Sequence, residues 1–164
     1  MHNKYLICLL TVISVIILDQ WSKIYISSAL PLYNSRAIIE GLLSITHVMN
    51  KGAAFGFLAQ ATPLFRAIFF MLVTIAAIIL IFYYMLKSRA DQPGLVFALS
   101  LILGGALGNM IDRLRFGAVV DFVDVYWKTY HWPAFNVADS AISLGAVLMI
   151  VEMWKRRKDE GGET

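Results

Sequence analysis

The chain has 164 residues, of which 59% are hydrophobic and only 15% are charged. This composition excludes an ordinary soluble domain, in which about 45–50% of residues are apolar, because so short a chain cannot bury that much apolar surface. The net charge of +3 would suit nucleic acid, but the basic residues fall at the ends of apolar segments, as they do in membrane proteins. The sequence therefore predicts an integral membrane protein with one domain and no nucleic-acid partner.

Four apolar segments approach the roughly 20 residues that a helix needs to cross a bilayer. They cover residues 5–25, 64–86, 95–111 and 137–154. The first has features of a cleaved signal peptide, but its apolar character continues past Asp19, which favours a retained helix. The prediction is an all-α membrane protein with four transmembrane helices and with both termini on the same side.

The basic residues indicate which side that is. A plain count of Lys and Arg does not distinguish the two sides of the predicted membrane. The residues on the side of the termini nevertheless lie close against helix ends, whereas those on the other side are spread over two longer loops. The positive-inside rule then predicts that both termini are cytoplasmic.

The two longer loops contain strand-forming sequence. Residues 38–49 are rich in apolar and β-branched residues, with Gly41 as a turn signal, and residues 119–125 have the same character. Together they predict a small extracytoplasmic β platform that rests on the outer membrane surface. Three aromatic residues that suit an interfacial belt follow the second stretch: Trp127, Tyr130 and Trp132.

The first apolar segment carries a charge pair near its outer end. Asp19 and Lys23 are four residues apart, with the acid on the N-terminal side, which is the favourable orientation for a helical ion pair. Carboxylates at a membrane boundary cost several kcal/mol when they are unpaired, so a structural ion pair is the default interpretation. The predicted topology still places this pair on the same side as the other acids.

The third apolar segment ends in small and polar residues. Gly104 and Gly108 form a small-xxx-small pair, which lets a neighbouring helix approach closely. Asn109 and Asp112 are three residues apart and share one face of the helix. Because adjacent helical residues do not face each other, an ion pair between Asp112 and Arg113 would require a frayed helix end. Packing by the glycines and a structural charge network for Asp112 and Arg113 are the favoured interpretations.

Asp121 and Asp139 are the candidates for chemistry. Asn136 can cap the fourth helix, which places Asp139 in the first turn, where the helix dipole favours an ionised carboxylate. Asp121 instead lies in a predicted strand, where Asp is disfavoured. If that strand returns to the start of the fourth helix, the two carboxylates meet at the bilayer surface and share one proton. One of them can then take a proton from water while the other protonates the carbonyl or the leaving amine.

Other chemistries have weaker support in the sequence. Ser140, Asp139 and His131 contain the residue types of a serine hydrolase, but the G-x-S-x-G motif is missing. Asp121, Asp139 and His131 could hold a metal, but no H-E-x-x-H spacing occurs. A small ion or proton conductor would need polar residues through the membrane midplane, where the last three segments carry no charge. A structural assembly factor is a further alternative, and it should tolerate an isosteric change at Asp121.

Five motifs occur along the chain in a fixed order. They read DQWSK at 19–23, NKGAAFG at 50–56, GNMIDR at 108–113, VVDFVD at 119–124 and FNVADS at 135–140. As a set they resemble the motifs of the bacterial lipoprotein signal peptidase (signal peptidase II) family. The resemblance covers essentially the whole chain, and no motif position departs from the family pattern.

The resemblance implies an aspartyl endopeptidase of the bacterial inner membrane. Such an enzyme cleaves diacylglyceryl-modified prolipoproteins on the N-terminal side of the lipidated cysteine, at the periplasmic face, and it is inhibited by the cyclic peptide globomycin. The catalytic pair would fall on Asp121 and Asp139. Site-supporting or substrate-binding roles would fall on Asp19, Lys23, Asn50, Gly52, Gly108, Asn109, Asp112, Arg113 and Asn136.

Several further expectations accompany this resemblance. No metal or organic cofactor is expected, and the chain should contact membrane lipid. We expect a monomer. Residues 51–56 contain two glycines and are predicted to form part of a mobile lid over the site.

Overall fold

The computed structural model of the chain describes residues 2–52, 58, 60–87 and 92–161. The elements are α1 (His2–Ala29), β1 (Ser35–Ile39), β2 (Leu43–Asn50), α2 (Pro63–Lys87), α3 (Pro93–Phe116), β3 (Val119–Trp127), β4 (Tyr130–His131) and α4 (Val137–Gly161). Within the described residues, four helices are long and apolar enough to cross a membrane, and the four strands form one antiparallel sheet. This architecture confirms the predicted fold class. Most of the predicted lid, at residues 53–56, lies outside the described residues.

The central helix of the bundle is α3, which packs against α1, α2 and α4. In its apolar stretch 61% of the residues are buried, against 11–17% in the other three helices. Glycines permit this close packing. A methyl group at Gly104 would lie 2.8 Å from the Cβ of Val15 on α1, and one at Gly145 on α4 would lie 2.7 Å from the carbonyl oxygen of Ala98. Gly104 therefore has the packing role that the small-xxx-small spacing predicts.

The other three helices expose large apolar side chains. Examples at least half exposed are Leu10 and Ile17 on α1, Leu72 and Ile79 on α2, and Val147 and Ile150 on α4. Apolar side chains on the outside of helices that can span a bilayer are suited to contact with lipid.

Helix α3 extends beyond its apolar segment. The sequence predicts a span that ends near residue 111, but the helix continues to Phe116 and ends at Gly117, whose φ of 68° is left-handed. The Gly117 N–H donates a hydrogen bond of 2.9 Å to the carbonyl oxygen of Arg113, as is usual at a glycine that ends a helix. Asp112 and Arg113 consequently lie inside a regular helix. Hydropathy placed the end too early because it cannot show that charged side chains find partners within the protein.

Strands β2 and β3 of the sheet lie at the end of the helical bundle. Its strand order is β1-β2-β3-β4, with Gly41 at a φ of 78° in the turn between β1 and β2, as predicted. The register of β2 and β3 places Val48 opposite Asp121 and Asn50 opposite Val119. Because only two residues separate α3 from β3, this end of the sheet lies beside the C-terminal end of α3.

Candidate active site

A cavity of about 540 Å³ opens where the sheet meets the C-terminal end of α3 and the N-terminal end of α4. Asp121 from β3 and Asp139 from α4 both line it, together with Asn109 and Arg113 from α3. The strand thus returns to the start of the fourth helix, as the sequence analysis requires for a carboxylate pair.

Asp121 is almost completely buried, with 2% of its surface exposed. Its two carboxylate oxygens accept hydrogen bonds from the side-chain amides of Asn50, at 2.9 Å, and Asn136, at 2.7 Å. Burial raises the pKa of the Asp121 carboxyl to about 7; the hydrogen bond from Asn50 lowers this pKa and the negative charge of Asp139 raises it further. This carboxyl therefore changes its protonation state near neutral pH.

Asp139 lies in the first turn of α4. The side-chain oxygen of Asn136 accepts a hydrogen bond of 2.8 Å from the Asp139 N–H, so Asn136 caps the helix as predicted. The Asp139 carboxylate accepts a hydrogen bond of 2.8 Å from the side-chain amide of Asn109. Since Asn136 also donates to Asp121, its single amide joins the two acidic residues.

Asn50 and Gly52 complete the wall on the β2 side. The Gly52 N–H donates a hydrogen bond of 2.9 Å to the side-chain oxygen of Asn50. This bond fixes which end of the Asn50 amide faces Asp121, because the oxygen is engaged and the NH₂ group is left to donate. Both residues line the cavity.

A buried group of polar residues, Asp19, Lys23, Asn109 and Asp112, called here the Lys23 cluster, adjoins the cavity through Asn109, which lines it. The Lys23 Nζ lies 2.8 Å from Asp19 Oδ2, 3.0 Å from Asp112 Oδ2 and 3.0 Å from Asn109 Oδ1. All four residues are at most 5% exposed. The ammonium group therefore uses its three donors on three partners, and the predicted ion pair is part of a larger network.

The Lys23 cluster holds the backbone beside each candidate carboxylate. Asp112 accepts a hydrogen bond of 3.0 Å from the N–H of Val120, which immediately precedes Asp121. Asp19 accepts one of 2.9 Å from the N–H of Ala138, which immediately precedes Asp139. The two buried acids thus anchor β3 and α4 at neighbouring points.

Gly108 allows α1 to approach this region. A methyl group at Gly108 would lie 2.7 Å from Asp19 Oδ2. The Gly108 carbonyl oxygen also accepts a hydrogen bond of 3.3 Å from the side chain of Gln20. The predicted packing role of Gly108 is confirmed. The side chain that packs against it is Asp19, the acid that accepts the N–H of Ala138 on α4.

Arg113 and Asp112, adjacent on α3, contact different neighbours. The Asp112 carboxylate binds Lys23, Val120 and Gln20, whereas the guanidinium of Arg113 lies over the ring of Phe70, with Cζ 4.3 Å from the ring centroid. The two residues form no direct ion pair in the described part of the chain, and the charge network expected for them stays a prediction. Successive helical side chains diverge by about 100°, and these two reach different neighbours.

Sequence reasoning missed two residues. Gln20 donates hydrogen bonds of 3.1 Å to Asp19 and 3.0 Å to Asp112, although the sequence analysis assigned it no role. Its position one residue after Asp19, inside the first motif, was the available signal. Phe70, the partner of Arg113, belongs to no motif, and nothing in the sequence singled it out.

The structure does not assemble the alternative sites. His131 contacts Asp124 at 2.9 Å, and Ser140 donates a hydrogen bond to the carbonyl oxygen of Asn136, so the two do not form a nucleophile–base pair. Among the described residues no group of three or more His, Cys, Asp or Glu side chains could hold a metal ion. By contrast, every residue predicted for the site lies in the cavity wall, in the Lys23 cluster or in contact with them.

Comparison with known proteins identifies the family. A family model described as Signal peptidase (SPase) II matches residues 11–155. The chain is 46% identical over 160 residues to the lipoprotein signal peptidase of Syntrophus aciditrophicus, covering 98% of this chain and 99% of the relative. It is 49% identical over 158 residues to that of Geobacter sulfurreducens, covering 96% and 98%.

Solved structures agree with this assignment. A bacterial membrane enzyme determined by the in meso method at 2.3 Å resolution is similar, with a TM-score of 0.82 and 34% identity over 96% of this chain and 91% of that one. A second such enzyme, determined at 1.9 Å resolution, has a TM-score of 0.78 and 32% identity over 89% and 91%. Family model, relatives and structures together show that the chain belongs to the signal peptidase II family.

Proposed function

We propose that this protein is an aspartyl endopeptidase that removes the signal peptide from diacylglyceryl-modified prolipoproteins, cleaving on the N-terminal side of the lipidated cysteine. Membership of the signal peptidase II family supports the substrate class. The observation that carries the mechanism is that Asp121 and Asp139 line one cavity at the end of the membrane-spanning helices.

The proposed mechanism begins with one proton shared by the pair. Below about pH 7 Asp121 holds it, because burial raises the pKa of this carboxyl to about 7. Asp139 takes a proton from a water molecule as that water attacks the scissile carbonyl carbon, and Asp121 gives its proton to the carbonyl oxygen. When the C–N bond of the resulting diol breaks, Asp139 protonates the leaving nitrogen and Asp121 recovers a proton from the diol.

The surrounding side-chain amides hold the two carboxylates in a fixed orientation. Asn136 contacts both acidic residues, while Asn50 and Asn109 each donate to one carboxylate. Rigid donors of this kind fix the carboxylate orientation before the substrate arrives, which lowers the reorganisation that the transition state requires. Acid–base chemistry between two carboxylates uses no metal or organic cofactor.

The depth of the cavity suits a lipid-bearing substrate. Asp139 lies in the first turn of α4, a helix that can cross a membrane, and Asp121 lines the same cavity from β3. A peptide bond near the headgroups therefore reaches both acids while its acyl chains stay in the leaflet. We propose that the protein resides as a monomer in the bacterial inner membrane, with both termini in the cytoplasm and the cavity at the periplasmic face. Globomycin-type peptides are expected to compete for this cavity.

The test is cleavage of a lipidated prolipoprotein by the purified protein in liposomes. Asp121→Asn and Asp139→Asn keep the shape of the side chains and remove their acid–base function, so each should abolish cleavage in a protein that still folds and inserts. Asp124→Asn is the matched control, since Asp124 belongs to the same strand but binds His131 outside the cavity. It should retain turnover.

Two results would contradict the proposal. Turnover retained in either Asp121→Asn or Asp139→Asn would remove the two-carboxylate mechanism. Equal cleavage of the same prolipoprotein without its diacylglyceryl group would remove the proposed substrate class while leaving the mechanism intact.

A further inference from the structure

Arg113 brings a positive charge to the cavity, but it forms no ion pair with a carboxylate in the described part of the chain. Its Nη1–H donates to the carbonyl oxygen of Asn109 at 3.5 Å, the upper limit for a hydrogen bond. A guanidinium has five N–H donors in a fixed plane. Most of the donors of Arg113 are therefore left for a ligand in the cavity that this residue lines.

An aromatic ring holds this guanidinium. The Cζ of Arg113 lies 4.3 Å from the centroid of the Phe70 ring, well within the roughly 6 Å limit of a cation–π interaction. Phe70 is 9% exposed, and its ring meets Phe69 edge to face, with the centroids 5.4 Å apart and the planes at 81°. A buried ring that is held in this way restricts the rotamers open to Arg113.

We propose that Phe70 is a positioning residue for the cleavage reaction and that it acts through Arg113. The ring holds the guanidinium against the cavity wall, where its positive charge stabilises the partial negative charge that builds on the scissile carbonyl oxygen before Asp121 delivers its proton. A preorganised cation is effective because it needs no reorientation during the reaction. This inference rests on the function proposed above. It gives α2 a role in the reaction, although none of the described residues of α2 lines the cavity.

A cation–π contact differs from ordinary packing in what can replace it. Leu and Met fill most of the volume of Phe but have no ring, whereas Tyr keeps the ring and its negative face. If Phe70 only fills space between α2 and α3, Leu and Met should be tolerated at least as well as Tyr. If it positions Arg113, Tyr alone should preserve the reaction.

The first experiment measures kcat and KM for a lipidated prolipoprotein in liposomes. Phe70→Leu and Phe70→Met should each lower kcat by about 5- to 30-fold, the factor that corresponds to a cation–π interaction shielded from water. KM should be unchanged, because the lost contact acts on charge that appears only in the transition state. Phe70→Tyr should retain the wild-type kcat. Phe82→Leu, at a ring on the same helix that is 49% exposed, is the control and should also retain it.

The second experiment observes Arg113 directly and does not depend on activity. In protein labelled with ¹⁵N-arginine, the Nε–Hε resonance of Arg113, assigned through Arg113→Lys, should be shifted by the ring current of Phe70. The shift should disappear in Phe70→Leu and persist in Phe70→Tyr. Melting temperatures of all variants show whether lost turnover reflects lost folding.

Several outcomes would overturn the proposal. These are full kcat in Phe70→Leu, equal losses in Phe70→Leu and Phe70→Tyr, an Arg113 resonance that does not respond, or failure of both Phe70→Leu and Phe70→Met to fold. Failure of the proposed function is distinct, because it would appear as no cleavage by the wild-type protein or as full cleavage by Asp139→Asn. The resonance measurement would still report on the contact in that case.

Discussion

Replacing Asp121 by Asn should stabilise the fold while it abolishes cleavage, and the stabilisation should grow as the pH rises. The reason is that burial raises the pKa of the Asp121 carboxyl from 3.8 to about 7. In the unfolded chain this carboxyl loses its proton near pH 4. Between pH 4 and pH 7 the folded protein thus binds a proton that the unfolded chain has already released.

The size of the effect follows from this difference. When the folded state holds one more proton, the free energy of unfolding falls by about 1.4 kcal/mol for each unit of rising pH. From pH 5 to the folded pKa near 7, the wild-type protein should lose about 2–3 kcal/mol through Asp121, and nothing further above that pKa. An amide does not titrate in this range, so the unfolding free energy of the Asp121→Asn variant does not fall in this way. Any cost from pairing the new amide with Asn50 or Asn136 is the same at each pH and cancels in the comparison.

The assay is reversible unfolding in mixed detergent micelles at pH 5, 6, 7 and 8, followed by tryptophan fluorescence. The difference in unfolding free energy between Asp121→Asn and wild type should widen by about 2–3 kcal/mol over this range, in favour of the variant. The widening is measured against Glu40→Gln, which removes a carboxylate from an exposed position in the turn before β2. A difference that is constant or narrows with pH for Asp121→Asn would refute the reasoning.

Three further variants test the surroundings of the pair. Asn50→Ala removes a hydrogen bond that lowers the pKa of Asp121, so the alkaline limb of the kcat/KM profile should move to higher pH; a move to lower pH would contradict the assignment of Asp121 as the proton donor. Lys23→Met leaves two buried carboxylates without their cation and should cost about 3–5 kcal/mol of unfolding free energy, whereas an unchanged melting temperature would show that the cluster is not needed for stability. Gly108→Ala places a methyl group 2.7 Å from an oxygen of Asp19, so it should lower both the melting temperature and kcat, and wild-type values for both would refute the tight contact.

Features that depend on short stretches of sequence were predictable. The four helices follow from segments near 20 apolar residues, the strands from β-branched runs beside Gly41, and the cap of α4 from the spacing between Asn136 and Asp139. Each of these needs information from only a few neighbouring residues. The motif set adds the family because its order along the chain is itself specific.

Features that depend on contacts between distant elements were not predictable. The contact between Phe70 and Arg113 joins α2 to α3, and the bond from Ala138 to Asp19 spans 119 positions of sequence. No periodicity encodes such pairs, because they depend on how the helices rotate against each other. For the same reason the sequence could not show that Asp112 and Arg113, adjacent on one helix, contact different neighbours.

The Lys23 cluster explains how two carboxylates from separate elements can be held together. Burying an ion pair seldom stabilises a protein more than apolar packing would, so stability alone does not account for Asp19 and Asp112. Each of these acids also accepts the N–H immediately before a member of the pair, Val120 in one case and Ala138 in the other. An apolar replacement could pack equally well but would leave both N–H groups without an acceptor. The cluster therefore fixes where β3 and α4 meet, and that meeting point brings the two acids to one cavity.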